Sequence, residues 1–257
     1  MHHPRPTEPP GTVTLSPDVD DSTLERVEHG WEISLGTLPE EAGAARAVGA
    51  QRLAGAVEEV ARRGGGRLRL WVRGPDRVRP TIAEVAGLSL GRELFQMRRA
   101  LPVGEDWALD VRPFVVDQDE EAWLAVNNRA FAWHPEQSDM TLDELRARER
   151  EPWFDPAGFL LHEEAGELVG FCWTKVHADT DPPLGEIYVI AVDPAAHQRG
   201  VGRQLVLAGL DHLHQAGLTT GMLYTESDNE PAVRLYRDLG FDVHCTDRAY
   251  DVLVPAR

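Results

Sequence analysis

The stretch "GEIYVIAVDPAAHQRGVGRQL" (residues 185–205) runs from an apolar segment through a glycine-rich loop into a helical pattern. The apolar segment predicts a strand, and the loop places Gly200 and Gly202 between Arg199 and Arg203. The first N–H groups of a helix have no partner inside the helix and lie at the positive end of its dipole. Glycines let an anion approach these groups, and the two arginines add positive charge. The stretch therefore predicts a diphosphate site at a strand-to-helix turn.

Two other phosphate-binding motifs do not fit this loop. No Lys-Ser/Thr pair follows the glycines, so the loop is not a P-loop. The G-x-G-x-x-G spacing of dinucleotide-binding folds is absent. A Gly-x-Gly before a helix also fits a tight turn without a ligand, so the rest of the chain must decide between the two interpretations.

The chain contains an internal repeat. A segment from Gly30 and a segment from Gly185 share the same succession of Glu-Ile strand, proline, Arg-x-Val-Gly-x-Gln and amphipathic helix. After the helix, each copy continues with a strand, a short helix and a closing strand. The matched positions are Arg46, Val48, Gly49 and Gln51 in the first copy and Arg199, Val201, Gly202 and Gln204 in the second.

The two copies differ in length. The second has about seventy residues before its Glu-Ile strand, and they predict a strand, two helices and a hairpin, with a capping box at Thr141 and Glu144. The first has room for none of these. We therefore expect a disordered tail (residues 1–11), a truncated repeat (12–102) and a complete domain (107–257). The predicted fold class is α/β, a mixed sheet with helices on both faces.

Two motifs of the second copy resemble the GNAT acetyltransferases. Residues 198–203, "QRGVGR", resemble the Gln/Arg-x-x-Gly-x-Gly/Ala motif of that family. The segment "ESDNEPAVRLYRDLGF" (residues 226–241) resembles its Asn-x-x-Ala-x-x-x-Tyr-x-x-x-Gly-Phe motif. Both occur in the family's order and on the expected elements.

Further segments resemble the mycothiol synthase family, actinobacterial enzymes built from two GNAT repeats. They include "NNRAFAWHPEQ", "GFCWTKVH" and, in the first copy, "RELFQMRRALP". The resemblance implies an acetyl-CoA-dependent transferase acting on the cysteinyl amine of Cys-GlcN-inositol. The first copy departs from the family's fuller repeat, and Ala47 stands where its motif would have a glycine.

The resemblance also implies roles for individual residues. Glu186 would be the general base, acting through water, and Tyr236 the acid that protonates the CoA thiolate. Without the family match, Glu186 also fits an exposed strand-end carboxylate and Tyr236 a packed helical aromatic. The residues implied to bind acetyl-CoA are Ile190, Ala191, Val192, His197, Gln198, Arg199, Gly200, Val201, Gly202, Arg203, Asn229, Glu230, Pro231, Ala232, Val233 and Arg234.

For the acceptor, the resemblance implies Glu136, Lys175, Glu186 and Tyr224. A polyol-bearing amino sugar needs such hydrogen-bonding groups. Two alternatives stay open at this point: a GNAT enzyme acting on another small-molecule or peptide amine, and a non-catalytic acetyl-CoA-binding protein.

Composition narrows the partners. The net charge of -17 disfavours nucleic acid and anionic membranes, and no apolar run approaches the roughly 20 residues that span a bilayer. The two cysteines and the polar, proline-rich start predict a cytoplasmic location. We also expect a monomer. The histidines His134, His162, His177, His212 and His214 are scattered, so no metal is expected. Core packing is the expected role of Trp123, Trp153 and Trp173.

Overall fold

The structure is a computed structural model that describes residues 12–14, 21–27, 29–132, 139–197 and 199–257. The chain divides into two compact units. The first comprises Met1–Phe95, Glu226–Asp228 and Cys245–Arg257, and the second comprises Gln96–Thr225 and Asn229–His244. Within the described ranges, no helix combines the length and the apolar character needed to cross a membrane.

The first unit is a sheet that buries its apolar side chains under two helices. Strands β1, β2 and β3 are antiparallel neighbours, β3 runs parallel to β4, and β4 pairs antiparallel with the last part of β11 (Asp242–Val254). The expectation that the first copy has no room for a hairpin before its Glu-Ile strand was wrong, because short strands of three and five residues are enough to form the β1–β2 pair. Tyr250 of β11 lies opposite Leu70 of β4, so the end of the chain completes the core of this unit. The elements are β1 (Thr12–Thr14), β2 (Thr23–Val27), β3 (Gly30–Ser34), α1 (Ala42–Arg62), β4 (Gly66–Val72), α2 (Arg79–Val85) and β5 (Ser89–Ala100).

Helix α1 begins earlier than the repeat predicts. By analogy with the second copy, the helix was expected only after Gly49, but it starts at Ala42 with Glu41 as its N-cap. The reason is local: an alanine-rich run favours the helix, and Glu41 accepts hydrogen bonds from its first N–H groups. Gly49 lies inside the helix, where an added Cβ would come within 2.4 Å of Ile82. This glycine serves helix packing, and no glycine loop precedes α1.

The second unit is a mixed sheet in the order β10, β9, β8, β7, β6. Only β9 and β10 are parallel, and the other neighbours are antiparallel. The expected mixed α/β fold is confirmed, although the expected opening strand is reduced to a two-residue β6. The elements are β6 (Arg112–Pro113), α3 (Glu120–Ala130), α4 (Leu142–Glu149), β7 (Phe159–Glu164), β8 (Glu167–His177), β9 (Leu184–Val192), α5 (Val201–Gln215), β10 (Thr220–Glu226) and α6 (Glu230–Asp238).

Helices cover both faces of this sheet. On β8, Phe171 and Trp173 point to one face and pack with Trp123 of α3. Cys172 points to the other face, where α5 approaches so closely that a Cβ at Gly209 would lie 2.5 Å from the Cys172 sulfur. Trp123 and Trp173 are fully buried, as expected for core residues.

Two further sequence expectations can be compared with the second unit. The capping box of α4 is confirmed, because Thr141 and Glu144 each bind the other's backbone N–H. Trp153 is only half-buried, but it packs against the core of this unit, with its ring centroid 5.7 Å from that of Trp173.

Candidate active site

Strands β9 and β10 separate in the middle of the second unit. Their parallel pairing runs from Gly185 to Ile187 on β9 and ends there, although β10 continues to Glu226. On the other side of β9 the register with β8 shifts between Trp173 and Thr174, and Tyr188 has no opposite residue. The sheet therefore opens along β9 from Tyr188 onward.

The opening leaves backbone donors on one edge of β9. The N–H of Asp193 donates to the carbonyl of Val169 at 2.8 Å, and therefore points toward β8. Since backbone groups alternate along an antiparallel pair, the N–H of Ala191 points the same way, and those of Ile190 and Val192 point toward the opening. A free N–H group in such a position is costly unless a ligand or water pairs with it. Of the three expected backbone donors, Ile190 and Val192 are thus suitably directed and Ala191 is not.

The glycine loop (residues 197–203) leads from β9 into α5. Gly200 is the N-cap of α5 and has φ 79°, a left-handed conformation that favours glycine. No side chain caps this helix, and its first backbone bond is the N–H of Gln204 to the carbonyl of Gly200. Among the described residues, the N–H groups of Val201, Gly202 and Arg203 thus have no partner. This arrangement suits an anion such as a phosphate.

The side chains of the loop are already engaged with acidic groups. Arg199 pairs with Glu164 at 2.8 Å, and Arg203 pairs with Glu105 at 2.7 Å. Hydrogen bonds from Arg199 lower the pKa of Glu164, so its carboxyl stays ionised and the pair stays charged. Both pairs are partly exposed, which makes them weak enough to exchange for another anion.

Glu186 is the middle of the three β9 residues that pair with β10 before the sheet opens. The residue is 6% exposed, which excludes the alternative interpretation of Glu186 as an exposed strand-end carboxylate. Its Oε2 lies 2.7 Å from Nε2 of His177 on β8. From the sequence, His177 was expected only as one of several scattered histidines without a role in the site. The signal that could have found it is its position two residues after Lys175, which places both side chains on one face of β8.

Lys175 lies against aromatic rings on this same face. Lys175 is opposite Glu186 in the strand register, but its Nζ lies over the ring of Trp153, 4.4 Å from the centroid, and 5.2 Å from that of Tyr188. The Tyr188 hydroxyl accepts a hydrogen bond from Arg148 of α4 at 2.5 Å. Trp153 and Tyr188 thus contact the ammonium, and Arg148 binds Tyr188; the sequence analysis assigned none of these three to the site.

Tyr236 lies on α6 and is 7% exposed. Burial raises the pKa of its phenol above the ordinary value, and the neighbouring Cys172 thiol adds to the effect. The ring packs edge-on against Phe241, and among the described residues no side chain binds the hydroxyl. The phenol is therefore a packed aromatic and, at neutral pH, a proton donor.

The other expected site residues fall into three groups. Asn229 is the N-cap of α6 and accepts from the N–H of Ala232 at 3.3 Å. Val233 is buried, whereas Glu230, Pro231 and Arg234 are exposed. Tyr224 is 37% exposed, and its hydroxyl accepts from Gln96 at 2.6 Å. Glu136 and Gln198 lie outside the described residues.

In the described ranges, no three His, Cys, Asp or Glu side chains lie close enough together to hold a metal ion, and the expected absence of a metal stays a prediction.

Comparison with known proteins shows the family to which the chain belongs. Residues 116–241 match the model of the acetyltransferase (GNAT) family. The mycothiol acetyltransferase of Streptomyces avermitilis is 51% identical over 193 residues, which are 72% of this chain and 62% of that protein. The mycothiol acetyltransferase of Acidimicrobium ferrooxidans is 46% identical over 228 residues, which are 85% of this chain and 73% of that protein. Against the Streptomyces avermitilis protein, the chain thus spans less than two thirds of its relative's length.

Solved structures share the fold at low sequence identity. A GCN5-related N-acetyltransferase from Sphaerobacter thermophilus has a TM-score of 0.69 at 18% identity, with 91% of this chain and 77% of that chain covered. A tandem GNAT protein from the clavulanic acid biosynthesis pathway has a TM-score of 0.62 at 15% identity, with 92% and 80% covered.

Proposed function

Because this chain belongs to the mycothiol acetyltransferase family of GNAT proteins, we propose that it transfers the acetyl group of acetyl-CoA to the cysteinyl amine of Cys-GlcN-inositol. The observation that carries the proposal is the continuous row of groups along β9. Glu186 lies where pairing with β10 ends, the N–H groups of Ile190 and Val192 follow at the opening, and the uncapped start of α5 comes next.

In this proposal the opening holds acetyl-CoA. The N–H groups of Val201, Gly202 and Arg203 would receive the pyrophosphate, with Arg199 and Arg203 released from their carboxylates. The N–H groups of Ile190 and Val192 would bind the acetyl oxygen and the pantetheine amides. Donors aimed at a carbonyl oxygen stabilise the negative charge that develops on it during acyl transfer.

Glu186 and Tyr236 would handle the two protons. The amine nitrogen attacks the thioester carbon, and its proton passes through water to the Glu186 carboxylate. The carbon–sulfur bond breaks, and the departing thiolate takes the proton of the Tyr236 hydroxyl. Burial raises the pKa of Tyr236, so the phenol holds its proton at neutral pH and would be present in the donor form when the thiolate departs.

The acceptor would lie on the face of the sheet that carries Glu186. Lys175, held over Trp153 and Tyr188, offers a fixed ammonium to the hydroxyl groups of the sugar and inositol. Tyr224 offers a hydroxyl from β10, and Glu136 is proposed as a further contact. The cytoplasmic location and monomeric state expected from the sequence stay predictions.

The test is acetyl transfer by the purified chain to Cys-GlcN-inositol, beside an aminoglycoside, a polyamine and a peptide N-terminus. The product should be followed by mass, because the acceptor carries its own thiol and would interfere with thiol reagents. Resistance of the product to hydroxylamine would identify an amide and exclude a thioester. We expect turnover with Cys-GlcN-inositol well above that with the other amines.

The other outcomes separate the alternatives. Turnover only with another amine would assign a different acceptor. Binding of acetyl-CoA without turnover of any amine would identify a non-catalytic acetyl-CoA-binding protein.

A further inference from the structure

His177 is the hydrogen-bond partner of Glu186 and the more exposed of the two side chains. Its Nε2 lies 2.7 Å from Glu186 Oε2, which is hydrogen-bond distance. The His177 side chain is 25% exposed and that of Glu186 is 9% exposed. A base that accepts a proton in every turnover must also lose it, and His177 is the more exposed neighbour through which a proton on the buried Glu186 carboxyl can reach bulk water.

The fold fixes this contact through the β8–β9 hairpin. Lys175 lies opposite Glu186 and His177 opposite Leu184, so His177 is the diagonal neighbour of Glu186 on the same face. Diagonal neighbours on adjacent strands are within reach of long side chains. The contact does not depend on a loop and is held by strand pairing on both sides of His177.

Other charged and titratable groups lie near this face of the sheet, but none of the described ones forms a hydrogen bond with the Glu186 carboxylate in place of His177. The Lys175 ammonium lies against aromatic rings, and the Tyr188 hydroxyl is bound by Arg148. On β10, the register partner of Glu186 is the apolar Met222. Among the described residues, His177 is thus the hydrogen-bond partner of the Glu186 carboxylate. In the part of the chain that the structure describes, the titratable and charged groups near this face include Lys175 and His177 on β8, Glu186 and Tyr188 on β9, Tyr224 on β10, Arg98 on β5, Arg148 on α4 and Glu151 after it.

We propose that His177 is a positioning residue that orients the Glu186 carboxylate and conducts its proton to solvent. The inference rests on the proposed function, in which Glu186 is the base. After the amine proton has reached Glu186, it passes from the carboxyl to Nε2 of a neutral His177 ring, which becomes an imidazolium. Nδ1 then releases a proton to water, which restores the carboxylate and leaves the neutral Nε2–H tautomer that donates to it. Proton exchange between the ring and water returns the Nδ1–H tautomer before the next turnover.

The test compares His177→Ala and His177→Gln with wild type in the acetyl-transfer assay, using whichever amine wild type acetylates. We expect kcat to fall at least about tenfold in both variants, because glutamine can donate to the carboxylate but cannot carry the proton. The KM for acetyl-CoA should stay within about twofold. Added imidazole should restore part of the rate of His177→Ala, which leaves space for it, and the acidic limb of kcat/KM should shift in both variants.

His212 offers a matched control. Its side chain is 26% exposed, and its Nε2 lies 3.7 Å from a carboxylate oxygen of Asp155, away from Glu186. The His212→Ala variant should show the wild-type kcat and the wild-type pH profile. Added imidazole should leave its rate unchanged. Should His177→Ala misfold, His177→Gln still tests the proton path, since it preserves a donor of similar size.

Four results would overturn the proposal. Full activity of His177→Gln would exclude a proton path through this residue. Loss of kcat without imidazole rescue and without a change in the pH profile would show a purely structural role. A wild-type chain that acetylates no amine would remove the proposed function and this inference together, whereas an active wild type with an unaffected His177→Ala variant would remove only the inference.

Discussion

Arg199 and Glu164 form a two-pronged ion pair, with both carboxylate oxygens bound at 2.9 and 2.8 Å. The ion pair engages Arg199, which is one of the two arginines assigned to the proposed pyrophosphate site. Arg203 is held in the same way by Glu105. In the proposed function, these two carboxylates would therefore compete with acetyl-CoA for the loop arginines.

Removal of these carboxylates should tighten acetyl-CoA binding. We expect Glu164→Gln and Glu105→Gln each to lower the Kd about two- to fivefold, because exposed ion pairs are weak and the freed arginine meets the phosphate without exchange. Isothermal titration at low and high salt measures this. Glu163→Gln is the control, since Glu163 pairs with Arg112 and not with the loop. Weaker binding by Glu164→Gln would show that the carboxylate organises the loop for its ligand.

Gly200 should be required for binding beyond its effect on stability. It has φ 79°, and an added Cβ would point into open space where the phosphate is proposed to lie. We expect Gly200→Ala to cost about 1 kcal/mol of stability and to raise the Kd for acetyl-CoA at least about tenfold. Gly217, with φ 90° at the other end of α5, is the matched control. Gly217→Ala should show the same stability loss with unchanged binding, and equal Kd values for the two variants would contradict the loop assignment.

Glu186→Gln should lower turnover by about 10²- to 10⁴-fold, the usual contribution of general base assistance. The amide is close in size, so the fold and the acetyl-CoA affinity should be nearly unchanged. The kcat and the Kd for acetyl-CoA are the quantities to measure. Turnover that stays at the wild-type level across pH would place the base elsewhere or show that the amine needs none.

Tyr236→Phe should lower kcat while it keeps the ring packing against Phe241. The pH dependence is the sharper measurement. Burial raises the pKa of Tyr236 above the ordinary value of about 10, so the donor form persists through neutral pH and is lost only above that value. Wild-type kcat should therefore show no decline from this group up to about pH 10. A basic limb near pH 8 that vanishes in Tyr236→Phe would contradict the assignment.

The chain should bind one acetyl-CoA, in its second unit. In the first unit, the Glu41 carboxylate accepts from the N–H groups of Gly43 and Ala44 at 2.9 and 2.6 Å. These backbone bonds lower the pKa of Glu41, so it is anionic at neutral pH and occupies the place where a phosphate would bind α1. Titration calorimetry should give a stoichiometry near one. Two equivalent sites per chain would contradict this prediction.

Local patterns were enough to predict the features that depend on neighbouring residues. The glycine loop, the α4 capping box and the helix that carries Tyr236 each follow from spacing within a few residues, and all are present in the structure. The start of α1 was predicted wrongly, because the prediction assumed that both copies have the same turn before their long helix. The alanine-rich run and Glu41 favoured an earlier helix in the first copy.

The sequence by itself determined the order of elements, the family and the residues of the glycine loop, because these depend on spacing along the chain. Only the tertiary structure decided which groups meet. The contact of His177 with Glu186 depends on the register of β8 against β9, and the exposure of the Ile190 and Val192 N–H groups depends on where β10 leaves β9. Strand register and separation are set by packing across the whole sheet, and no short stretch of sequence specifies them.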